Sequence, residues 1–183
     1  MQMNSLGLLE LSSIAAGMQA ADIMLKTSEV ELVISRSICS GKYMVLIGGE
    51  VAAVQSSVDT AVNQIDFAVI DNFVIPNVHH DIFPALSGHS NVQALESLGI
   101  IESFSVASLI EGADAAVKAA SVKLIEVRLA MALGGKAFCT ITGEVAAVQA
   151  AVDAGAQLIA DKGLLVNKVV IPRPRKELLS EMI

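Results

Sequence analysis

Two cysteines, three histidines and a matched pair of glutamates are the side chains here that could hold a metal or move a proton. Cys39 lies in Ser37-Ile38-Cys39-Ser40-Gly41-Lys42, where Ser and Gly predict a loop. A single thiol is no cluster motif, because iron–sulfur sites draw on several cysteines at set spacings. Read alone, Cys39 is an ordinary thiol near a strand end. Cys139 stands in Ala137-Phe138-Cys139-Thr140-Ile141-Thr142, where apolar and hydroxyl side chains alternate. That pattern predicts a half-buried strand with Cys139 as a small core hydrophobe. His79, His80 and His89 fall in a polar stretch whose one nearby carboxylate is Asp81, so they read as surface or interface histidines. No Ser-His-Asp order, phosphate-cradling Gly loop or His-Glu-x-x-His is present. Glu10 and Glu102 occupy equivalent strand positions, which favours a role in fold or interface over acid–base work. The expectation is a protein that is not an enzyme.

Composition sets the frame for these residues. The chain has 183 residues, 54% of them hydrophobic, with no Trp and one Tyr. Its apolar mass is therefore Ala, Val, Ile and Leu, which suits closely packed interfaces. Mean hydropathy is +0.63, yet charges or Gly interrupt every apolar run before membrane-spanning length. A small chain this apolar is expected to hide surface in an oligomer. Two cysteines and an opening stretch without a basic, signal-like segment point to a reducing cytoplasm. The first 91 residues carry 3 basic and 9 acidic side chains, the rest 9 and 10. Neither part has a basic stripe with interleaved aromatics, so nucleic acid is excluded as an expected partner.

An internal repeat organises the chain. Gly-Glu-Val-Ala-Ala-Val-Gln occurs at 49–55 and again at 143–149. Between 5–37 and 97–129, 12 of 33 positions are identical at an offset of 92. The offset is 94 at Gly41-Lys42 against Gly135-Lys136, and 96 where Val74-Ile75-Pro76 meets Val170-Ile171-Pro172. So long a period marks a duplicated domain, here 1–91 with its linker and 92–183. Each copy predicts the same order. A strand at 6–11 leads to a Ser12 or Ser13 cap and a helix to about Lys26. Strands at 30–38 and 43–47 flank the Gly loop, Glu50 opens a second helix, and a strand at 67–75 ends at Pro76. The class is α/β of the α+β kind, two tandem ferredoxin-like βαββαβ domains. A short helix with linker is expected in 77–96, and a helical stretch at the C-terminus.

The pattern Ala-Asp-x-x-x-Lys-x-x-x-Val-x-Leu (21–32, 113–124), the repeated heptapeptide and Ile171-Pro172-Arg173-Pro174 resemble bacterial microcompartment shell domains. Two such domains in one chain are similar to the tandem shell proteins, in the standard and not the permuted strand order. The resemblance implies a flat, pseudohexameric homotrimer in the cytoplasm, tiled against other shell proteins at its edges. Within that group, residues 37–42 resemble the propanediol-utilisation class, whose trimers carry an iron–sulfur cluster at a central pore. There the loop cysteine is usually followed by Pro, where this chain has Ser40. In a homotrimer one Cys39 per chain becomes three thiolates on one axis. One [4Fe–4S] cluster per trimer would then take three Cys39 ligands and conduct electrons across the shell, or supply redox enzymes inside. A zinc site with an open position fits the same geometry. Ile38, Ser40, Gly41 and Lys42 of the first copy, with Leu133, Gly134 and Gly135 of the second, would line the pore. Lys26, Lys118 and Arg173 would make edge contacts, with Arg175 and Lys176 at the rim or solvated. The rival readings are a passive tile whose pore passes a metabolite beside a bare Cys39, and a soluble ligand-binding regulator or small enzyme on duplicated ferredoxin-like domains.

Overall fold

The computed structural model describes residues 3–88, 92, 95–130, 133–175 and 177–178. The first unit runs β1 (Ser5–Leu11), α1 (Ile14–Thr27), β2 (Glu31–Ile38), β3 (Lys42–Gly49), α2 (Val51–Gln64) and β4 (Val69–Pro76). The second begins with a short helix, α3 (Ile82–Leu86), and then repeats the order. It continues β5 (Ser97–Ser103), α4 (Val106–Ala119), β6 (Lys123–Leu129), β7 (Ala137–Thr142), α5 (Val145–Asp161) and β8 (Leu165–Pro172). The sheets are ordered β2-β3-β1-β4 and β6-β7-β5-β8, antiparallel throughout. This is the expected ferredoxin-like plan, found twice.

Three of the helices, α1, α4 and α5, start where a side chain satisfies their first amides. The Ser13 hydroxyl accepts from the Ala16 N–H, and the Ser105 hydroxyl from the Ser108 N–H, at 3.3 and 3.2 Å. The two identical heptapeptides are capped differently. Glu144 turns its carboxylate onto the Ala146 and Ala147 amides, whereas Glu50 accepts instead from the Asn4 side chain. The strand expected at 67–75 begins two residues late, because Asp66–Ala68 form a 3-10 turn held by the Asp66 carboxylate on the Phe67 amide at 2.7 Å.

The central strands β1 and β5 are paired on both sides. Leu6, Leu8, Leu9 and Leu11 of β1 have no exposed surface, and alternate residues face opposite sides of the sheet. In the first unit Leu9, Leu11, Tyr43, Val45 and Ile47 meet Ala20 and Met24 of α1 and Val54 and Val58 of α2. Burying side chains of this size stabilises by roughly 1.5–3 kcal/mol each. The second unit draws its helices closer together. A Cβ at Gly155 of α5 would stand 2.4 Å from the Gly112 carbonyl oxygen of α4.

The compact units divide between Val78 and His79, not at the expected 91/92. The cause is local bonding: the His79 amide donates to the Asp114 carboxylate at 2.7 Å, and α3 lies against β6 and α4. Residues 79–88 therefore fold with the second copy. The expected C-terminal helical stretch falls mostly on residues outside those described, as do His89 and Lys176.

Gly155→Ala separates two effects of opposite sign. Helix propensity alone would stabilise by about 1 kcal/mol, while the contact with Gly112 overpacks the helix pair by about 1–3 kcal/mol. A lowered denaturant midpoint is expected, and a raised one would show that the helices are not in backbone contact.

Candidate functional site

The loop between β2 and β3 is a single tight turn, Cys39–Gly41. Ser40 and Gly41 both take left-handed backbone conformations, with φ of 65° and 73°. Glycine adopts this freely and serine at some cost. The turn reverses the chain in three residues and brings Cys39 to the end of the sheet, partly exposed. Of the first-copy residues expected at a lining, Ser40 and Gly41 are both exposed. Ile38 is buried beneath them, at 7% exposure, which removes its side chain from any such surface.

Lys42 is not a loose surface cation. Its Nζ donates to the Glu10 carboxylate at 2.9 Å, and Glu10 is buried near the end of β1. The second unit repeats the pair, with Lys136 donating to Glu102 at 2.5 Å. Register explains both. Glu10 lies opposite Met44 and Glu102 opposite Phe138, so a lysine two residues earlier on the partner strand shares the glutamate's face and reaches it diagonally. Each loop foot is thereby fastened to the central strand. Sequence reading placed these glutamates in fold or interface but missed their partners. The clue was the recurrence of both residue types at matched places in each copy.

The second loop is built differently. Ala130, Gly134 and Gly135 have φ of 44°, 62° and 89°. The loop closes through the Ala130 amide on the Lys136 carbonyl and the Lys136 amide on the Leu133 carbonyl, at 3.1 and 3.2 Å. Leu133 and Gly135 are partly exposed and Gly134 exposed. These backbone bonds give the longer loop its shape without a thiol.

The two cysteines are opposites. Cys139 has no exposed surface, sits opposite Ile101 in β5, and has its thiol pushed up to about 12 by burial. It fills the place that Val45, opposite Leu9, fills in the first unit. A metal-binding thiol must ionise, so Cys139 is unsuited to ligation and Cys39 is the thiol of the described residues that fits it. The donor is soft and partly accessible, but one chain offers one thiol.

Lys26 is exposed and pairs with Asp22 at 2.7 Å. Its counterpart Lys118 pairs at 2.5 Å with Asp114, which is buried and also holds the His79 amide. Arg173 is exposed with φ of 52°, and Asn77, at the matching place, has φ of 50°. Asn takes this conformation readily and Arg does not. No shared site joins these positions within either unit. His79, His80 and Asp81, by contrast, converge within 4.8 Å.

Comparison with known proteins gives a consistent family. The model of the BMC domain matches residues 5–78 and 97–174. The chain is 41% identical over 179 residues to the bacterial microcompartment shell protein PduT of Citrobacter freundii, covering 98% of this chain and 97% of that one. It is 46% identical over 84 residues to the shell protein EutM of Salmonella typhimurium, covering 46% of this chain and 85% of that one. A crystal structure of a microcompartments protein from Desulfitobacterium hafniense DCB superposes with a TM-score of 0.93 at 48% identity, covering 98% of this chain and 99% of that one.

Lys42→Met leaves Glu10 buried without its cation and is expected to destabilise by about 1–3 kcal/mol. Lys26→Met breaks an exposed pair and should cost under about 0.5 kcal/mol. Equal losses in chemical denaturation would refute the anchoring role. The raised Cys139 pKa stabilises the fold below its ordinary value of 9.0, and that stability is lost as pH rises toward 12. Cys139→Val should therefore match the parent at neutral pH and outlast it at alkaline pH, as read from thermal midpoints along a pH series.

Proposed function

The chain belongs to the BMC-domain family of bacterial microcompartment shell proteins, and from that premise we propose that it is a trimeric shell tile whose axis holds a [4Fe–4S] cluster on three Cys39 thiolates. The observation that carries the reading is the contrast between the two thiols, one sealed in a core and one at the head of a tight turn. The resemblance of residues 37–42 to the iron–sulfur-bearing class supports it. When bound, such a cluster supplies one-electron transfer, which here would run across the shell wall or to redox enzymes inside.

The remaining work belongs to the chain's own residues. Cys39 would give one thiolate per subunit, and three-fold rotation would supply the rest. Ser40 and Gly41, both left-handed, would keep the turn narrow near the axis. Lys42 adds no loose charge there, because Glu10 holds its ammonium, so the pair acts by fixing the loop foot. Leu133, Gly134 and Gly135 would line the axis from the second copy. Lys26, Lys118 and Arg173 would meet neighbouring tiles, and a residue with left-handed backbone at Arg173 suits a fixed contact better than a floating side chain.

This reading makes the protein a structural one, housed in the cytoplasm within the shell. Among the described residues no helix is long and apolar enough to cross a membrane. Anaerobic reconstitution with iron and sulfide should give brown protein carrying one cluster per three chains, measured as iron, sulfide and mass in solution. Cys39→Ser should lose colour and iron while keeping the same mass. Equal iron in both proteins would instead assign a passive metabolite pore with a bare thiol.

A further inference from the structure

We propose that His79, His80 and Asp81 form a binding site for a divalent transition-metal cation of the zinc or copper class. The three side chains each offer one ligand atom, and these atoms lie within 4.8 Å of one another. Asp81 is the hub. One carboxylate oxygen is 3.1 Å from His80 Nε2 and the other is 4.0 Å from His79 Nδ1. The two imidazole centroids are 4.4 Å apart and the rings are tilted by 30°. Donors at about 2.0–2.2 Å from one ion, arranged tetrahedrally, stand roughly 3.4 Å from each other. Side-chain adjustments of about 1 Å would therefore close the set around a cation.

The backbone beneath is already fixed. The His79 amide is held by the buried Asp114, whose other oxygen takes Lys118. The Ile82 amide donates to the His79 carbonyl at 3.0 Å, and the Ile82 side chain is buried. Asp81 stands at the first position before α3, yet its carboxylate makes no capping bond there and is turned to the imidazoles. The hydrogen bond that occupies His79 Nδ1 is long: it accepts from the Asp81 amide at 3.3 Å. Two imidazoles with one carboxylate favour zinc or copper over magnesium or calcium, which prefer all-oxygen shells. His80 is 84% exposed on its side chain, so the ion would keep positions open to water or to a donor on another molecule.

Calorimetric titration of the full-length, untagged protein with Zn2+, with a parallel Cu2+ sample read by electron paramagnetic resonance, tests the site. One ion per chain and nitrogen hyperfine structure on copper are expected. Cys39→Ser should still take one ion per chain with the same nitrogen hyperfine structure, whereas His80→Ala, an exposed change that spares the fold, should weaken binding at least about tenfold. Asp81→Asn should do the same. Undiminished binding in His80→Ala and Asp81→Asn would overturn the proposal, as would loss of the ion with Cys39→Ser, which would move it to the thiol.

Discussion

The central strand of each unit governs everything around it. β1 and β5 are hydrogen-bonded along both edges, so their register fixes the neighbouring strands and, through them, every loop. Gly7 and Gly99 let the helices press onto these strands, since a Cβ at either would meet valine methyls of α2 or α5 at 2.7 Å. On the opposite face from those glycines, Glu10 and Glu102 reach for lysines at the loop feet. Helix seating and loop anchoring are thus two faces of one strand, and a slip of one residue would exchange them.

Much of this was legible in the residues. Identical heptapeptides and constant offsets revealed the duplication, and alternation and helical spacing gave the element order. Ser13 and Ser105 behaved as caps because capping is a local interaction, readable within four residues. Cys139 could be recognised as core because Val45 occupies the matching slot. Long-range pairings were less accessible. Lys42 to Glu10 spans 32 residues and Lys136 to Glu102 spans 34, and no periodic signal marks such contacts. The division at 78/79 was hidden for the same reason, since it rests on Asp114 reaching back to His79.

The two copies have diverged in a directed way. They keep the strands, the serine caps and the glutamate–lysine anchors and differ in what is carried on them. One loop is a three-residue turn with a thiol; the other is longer, glycine-rich and closed by its own backbone. Asp22 makes an exposed pair, while its counterpart Asp114 is buried and organises a second segment. Fusion in one chain lets such differences persist side by side, which a shell built of identical single domains cannot arrange.

The glycine contact between α4 and α5 bears on how a tandem chain avoids mistaken pairing while it folds. Similar neighbouring domains are prone to exchange elements, and α2 and α5 begin with the same five residues, Val-Ala-Ala-Val-Gln. They part company at the crossing point. By the repeat alignment α2 carries Ala61 where α5 carries Gly155, and an added methyl there would strike the Gly112 carbonyl oxygen at 2.4 Å. An α2 that strayed onto the second sheet would be disfavoured by a single carbon atom, so the sequences can stay alike where they start and still favour their own partners.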